Sequence, residues 1–146
     1  MISVHHLSEC DLADLKTLYD NGFKGMSSNL EKMIANYNLI KNNENYIILC
    51  AKDNDKIVSS IIGIINIDFK GECKPFMVIE NVIVDESYRR QGIANNLMST
   101  LENIAMERNC SYMILVSGTH RIAAHKFYES IGFNGDNVRG FKKFFD

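Results

Sequence analysis

The chain has 146 residues, 46% of them apolar and 23% charged, with a formal net charge of −2. That length fits one domain, residues 1–146, with a sizeable core, and the composition is that of an ordinary globular protein. A charge so near zero supplies no basic field for nucleic acid.

Cys10, Cys50, Cys73 and Cys110 are scattered, without the paired spacing of a zinc site or a disulfide framework, and read as reduced thiols. The opening "MISVHHLSECDL" lacks the basic-then-apolar layout of a signal peptide. The longest apolar run, "SSIIGIINI", is too short to cross a bilayer. The expectation is a soluble cytoplasmic protein with no membrane partner and no metal.

In chain order, "ISVHHL" reads as a short strand. Ser8 and Asp11 have the form of a helix start, after which Leu12, Leu15, Leu18 and Tyr19 share one face. Gly22 and Gly25 end that helix. A second one, from Asn29, carries Leu30, Met33, Ile34 and Tyr37 at helical spacing. Three strands follow, "NYIILCAK", "IVSSIIGIINIDF" and "PFMVIENVIV", and their short turns imply antiparallel hairpins.

After "YRRQGIA" comes a helix whose inward stripe is Leu97, Leu101, Ile104 and Ala105. "YMILVS" reads as a buried strand. "IAAHKFYESI" reads as a helix stopped by Gly132, with Ala123, Phe127, Ser130 and Ile131 as its buried stripe and Tyr128 at the edge. The closing "NVRGFKKFF" can supply one or two strands, and its aromatic residues fit an edge or the interface of a homodimer. The order β-α-α-β-β-β-α-β-α-β belongs to an α+β or mixed α/β layer fold.

The turn "YRRQGIA" leaves an apolar strand and enters a helix with no Ser, Thr, Asp or Asn at the entry. A helix start without a side-chain cap keeps unpaired N–H groups of partial positive charge, a ready anion site. Gly92 and Ala94 keep that site open, and Arg89 and Arg90 can add charge-assisted hydrogen bonds. A phosphate or diphosphate across Arg90 to Asn95 follows. Neither G-K-[ST] nor G-x-G-x-x-G is present, which excludes a Walker loop and a dinucleotide fingerprint. Read alone, the turn fits equally a pair of solvated arginines beside a glycine that eases a bend.

"VIVDESYRRQGIANNLM" resembles the acyl-CoA-binding signature [RQ]-x-x-G-x-[GA] of the GNAT superfamily of N-acetyltransferases, with Arg89, Gly92 and Ala94 at its fixed positions. "AAHKFYESIGF" resembles a second signature of that family, and the order of elements agrees along nearly the whole chain. The resemblance implies a central, mostly antiparallel, splayed sheet of about six or seven strands flanked by about four helices. It implies acetyl-CoA as cosubstrate, with the backbone of Val82, Ile83 and Val84 along pantetheine and Arg89, Arg90, Gln91, Gly92, Ile93, Ala94 and Asn95 around the pyrophosphate.

Acetyl transfer to an amine by direct attack in a ternary complex needs a base, oxyanion donors and help for the leaving sulfur. Glu80 interrupts an apolar strand and is the candidate base. An apolar setting would raise its pKa, although a structural carboxylate paired with its neighbours fits the same position. Tyr128 is the candidate for assisting thiolate departure, against a core tyrosine whose hydroxyl reaches solvent. The oxyanion donor is the backbone N–H of Val82 or a neighbour. Asn81 orients Glu80, faces the acceptor or marks a bulge. Where many relatives carry an asparagine near pantetheine, this chain has Arg121, and Arg121 can meet a phosphate or an acid. The acceptor is a primary amine, whether of a small metabolite, an amino sugar, a polyamine or a protein. A non-catalytic acyl-CoA sensor is the alternative from another class.

Overall fold

The computed structural model describes residues 1–145, in two compact units, the first spanning 1–114 and the second beginning at Leu115. In the first unit a five-stranded sheet runs in sequential order: β1 (Ile2–His6), β2 (Tyr46–Asp53), β3 (Lys56–Asn66), β4 (Phe76–Val84) and β5 (Met113–Ile114). The first four strands pair antiparallel, and β5 lies parallel to β4. Helices α1 (Leu12–Gly22), α2 (Leu30–Ile40) and α3 (Ile93–Glu107) complete this unit.

Helices α1 and α3 form where apolar spacing buries one stripe, whereas α2 lays only half-buried residues against the core. On α1, Leu12, Leu15 and Leu18 are buried, and Tyr19 packs half-buried beside them. The helix is entered through a 3-10 turn in which the Ser8 N–H donates to the Asp11 carboxylate at 2.9 Å. Asp11 is itself buried and accepts from Lys52 Nζ of β2 at 2.7 Å. Burial pulls the Asp11 pKa up, but hydrogen bonds from Lys52 and Ser8 outweigh it and leave the carboxyl below its ordinary value. On α2 the Asn29 side chain caps by accepting from the Lys32 N–H at 3.0 Å. Ile34, expected on the inward face, is exposed. On α3, Ile93, Leu97, Met98, Leu101 and Ala105 are buried.

The register of β4 changes midway. Ile62 opposes Glu80 and Ser60 opposes Ile83, so the single residue Ile61 faces both Asn81 and Val82. This is a β-bulge, and Asn81 adopts φ 52°, a left-handed conformation that asparagine tolerates better than most residues. One extra residue shifts side-chain parity by one. Met77 therefore packs beside Gly63 and Leu101 of α3, whereas Ile83 packs into the cluster around α1.

The sheet is shorter than expected. "YMILVS" yields only the two residues of β5, and residues 134–145 hold no strand. A strand persists only with a partner, and among the described residues the second unit contains no strand. It consists of α4 (Ile122–Ser130) and the segments around it, with Phe141, Phe144 and Phe145 exposed. Among the described residues five strands stand where six or seven were expected, although the mostly antiparallel α+β class with four helices holds.

Candidate active site

Parallel pairing of β4 with β5 stops at Val78 and Ile114. From Ile79 to Val84 the strand is paired only toward β3, and among the described residues its other edge carries no strand. The bulge falls within this free-edged half. Backbone direction alternates along it. The Ile83 carbonyl accepts from Ser59 Oγ of β3 at 2.7 Å, and the Asp85 N–H donates to the Val58 carbonyl at 2.7 Å. Ile83 is thus turned toward β3, which leaves Val82 and Val84 to present backbone groups to the open edge. Of the three residues expected to line pantetheine, Val82 and Val84 face the open edge and Ile83 faces β3.

The strand leads straight into the turn. Asp85 accepts from the Ser87 N–H at 2.8 Å and opens a 3-10 turn over Glu86–Tyr88. Arg90 then takes φ 64° and Gly92 takes φ 76°, two left-handed residues separated by Gln91. In general, concavities built from successive backbone N–H groups bind anions. Gly92 occupies the N-cap position of α3 without a side-chain hydrogen bond, and the first turn of α3 holds no acidic residue. A Cβ placed on Gly92 would meet nothing within 4 Å, so the glycine answers the positive φ rather than a lack of room. Arg89, Arg90, Gln91, Gly92 and Asn95 are exposed, Ala94 is half-buried and Ile93 is buried. The ion pairs formed by the described residues involve neither arginine. Ile93 anchors the helix while its neighbours face out.

Side chains from the β2–β3 hairpin hold this turn in place. Tyr88 Oη donates to Asp53 Oδ2 at 2.7 Å, and Lys56 Nζ stands 3.7 Å from Asp85 Oδ2 and 5.6 Å above the Tyr88 ring. The shared hydrogen bond lowers the Asp53 pKa and raises that of Tyr88.

Glu80 is exposed on β4. The apolar enclosure expected around it is not there, because the β5 partner ends two residues earlier and leaves that flank open. Tyr128 lies on α4 in the second unit. It is the buried residue of that helix rather than its edge, while Ala123 and Ser130 are exposed and Phe127 and Ile131 half-buried. Its ring meets Phe127 at 5.5 Å and Phe133 at 6.0 Å between centroids. Burial raises its pKa, with Arg121 partly offsetting the rise, so the phenol keeps its proton at neutral pH. Arg121 occupies the N-cap position of α4 and is exposed.

The Tyr19 hydroxyl escaped sequence reasoning. Tyr19 Oη and Ser117 Oγ are buried without a hydrogen-bond partner. Tyr19 reads as one more apolar member of the α1 stripe, and nothing in its spacing marks its hydroxyl.

The sequence profile of the acetyltransferase (GNAT) family matches residues 12–133. Human N-acetyltransferase 8 is 31% identical over 83 residues, which are 57% of this chain and 36% of that protein, so the match spans about a third of the relative's length. A protein of Agrobacterium tumefaciens str. C58, provisionally assigned as an acetyltransferase, superimposes with TM-score 0.87 at 27% identity over 97% of this chain and 98% of its own. Glucosamine-6-phosphate N-acetyltransferase of Arabidopsis thaliana superimposes with TM-score 0.88 over 100% and 99% of the two chains. Its 19% identity carries the fold alone.

Proposed function

Because this chain belongs to the GNAT family of acetyltransferases, we propose that it transfers the acetyl group of acetyl-CoA to a primary amine by direct attack in a ternary complex. The observation that carries the reading is the uncapped start of α3. Left-handed Arg90 and Gly92 precede a first turn without acid, at the end of a strand half whose outer edge is free.

The N–H groups of Gly92, Ile93, Ala94 and Asn95 complement a pyrophosphate, and the exposed guanidinium groups of Arg89 and Arg90 add charge. Val82 and Val84 offer backbone groups to a pantetheine arm lying as an added strand. The Val82 N–H, in the bulge, donates to the thioester carbonyl and stabilises the charge that develops there. Glu80, one residue before the bulge, accepts the proton of the attacking amine, directly or through water. The open flank beside Glu80 leaves room for the acceptor. Tyr128 donates a hydrogen bond to the departing sulfur. With its pKa raised above 10.0, it stabilises the thiolate by hydrogen bonding more than by surrendering its proton.

A thiol-release assay with acetyl-CoA over a panel of amino sugars, polyamines, small amines and peptide amines tests the reading. Wild-type protein is expected to turn over at least one class, and Tyr128→Phe to lower kcat while leaving coenzyme affinity in place. Saturable coenzyme binding without acetyl transfer to any amine would instead identify a sensor.

A further inference from the structure

Tyr19 stands where α1 presses on the bulge of β4. Its ring lies 5.4 Å from that of Phe23 in the cluster that also contains Ile83. The approach is close, for a Cβ on Gly22 would stand 2.3 Å from Ile83 Cδ1. The Tyr19 hydroxyl is carried into this contact and is buried with no hydrogen-bond partner. Burial pushes its pKa up, and the side chains of Asn81 and Ser60 are the polar groups close enough to hold part of that rise back, although neither stands at hydrogen-bonding geometry to it. Ser60 Oγ already donates its one proton to the Leu49 carbonyl at 2.9 Å. Asn81 is the neighbour whose carboxamide can both donate and accept. It is also the left-handed residue of the bulge.

We propose that Tyr19 is a positioning residue for acyl transfer: its hydroxyl engages the Asn81 carboxamide and fixes the bulge that aims the Val82 N–H out of the free edge of β4. The inference rests on the acyl-transfer reading given above. An asparagine at φ 52° explains itself by backbone preference alone, and a phenylalanine would fill the same apolar space as the Tyr19 ring. What neither fact explains is a phenol hydroxyl buried without a partner where α1 meets the bulge.

Amide hydrogen exchange, coenzyme calorimetry and steady-state kinetics on the full chain test the assignment. Tyr19→Phe is expected to keep its thermal midpoint and its affinity for CoA, while the Asn81 and Val82 amides exchange about tenfold faster than in wild type and the rest of β4 is unchanged. With the amine that wild-type protein acetylates, kcat falls about tenfold at unchanged acetyl-CoA KM. Asn81→Gly keeps the left-handed backbone but removes the carboxamide, and in that background Tyr19→Phe changes nothing further. Unaltered exchange at the bulge in Tyr19→Phe, or full additivity of the two substitutions, overturns the proposal. So does faster exchange with kcat unchanged, which would leave Tyr19 a packing residue only. A wild-type protein that binds no coenzyme, while Tyr19→Phe still loosens the bulge, overturns the acyl-transfer reading and leaves the Tyr19–Asn81 contact standing.

Discussion

The two halves of β4 share one strand and differ in nearly everything else. Phe76–Val78 is paired toward β3, with Met77 and Val78 also paired to β5, and Met77 is fully buried beside Leu101. Ile79–Val84 has one partner, a bulge, an exposed carboxylate and an exposed asparagine. A free strand edge leaves backbone hydrogen-bonding groups available to any extended partner, and natural sheets normally blunt or cover such edges. Here the bulge bends the edge and the arginine–glycine turn follows it directly. The first half is paired on both sides, and the second leaves one edge without a strand partner.

The largest effect expected from breaking that contrast is on turnover. Glu80→Gln, in the free half, lowers kcat by about 10²–10⁴-fold, as for loss of a general base, while thermal melting stays close to wild type. Unchanged turnover in that variant would remove Glu80 from the chemistry. Met77→Ala, in the paired half, reverses the pattern. It costs about 2–5 kcal/mol of stability by opening a cavity beneath α3. Below its melting range it leaves coenzyme affinity intact, which calorimetry on the folded variant reads.

A smaller effect separates conformation from chemistry at the bulge. Asn81→Val places a β-branched residue at φ 52° and costs about 1–2 kcal/mol, whereas Asn81→Gly relieves that strain. Chemical denaturation of the two variants shows the ordering, and equal stabilities would mean that the left-handed bulge is not retained.

The smallest effect belongs to the framework alone. The folded Asp11 pKa lies below its ordinary value of 3.8, so as pH falls the unfolded chain takes up the proton first. The stabilisation is present above that value and is lost as pH falls through the folded one. Asp11→Asn should flatten this acid limb of stability, measured by urea midpoints across pH 2–6, without touching the free half of β4.

How far the sequence disclosed this division depends on the kind of signal. The turn was readable because "YRRQGIA" lacks a capping side chain, and an uncapped helix start is a local property of residue types. The antiparallel hairpins were readable from β-branched runs and short turns. The bulge was only hinted at by the polar pair Glu80–Asn81 inside an apolar run, since register is decided by the partner strand. The exposure of Glu80 depends on where β5 stops, which composition does not encode. The burial of Tyr128 escaped for a related reason, because helical spacing alone placed it at the edge of the α4 stripe. "NVRGFKKFF" has strand-like residues, but propensity does not form a strand where no partner is present.

The claim on which the rest depends is that the uncapped start of α3 is the seat of an acyl-CoA diphosphate. Isothermal titration of the full chain with CoA, alongside Gly92→Glu, tests it most directly. The account predicts saturable binding by wild type and loss of most of that affinity in the variant, where an acidic side chain replaces the left-handed glycine at the anion site. Wild-type heat indistinguishable from dilution, or equal binding by both proteins, would contradict it.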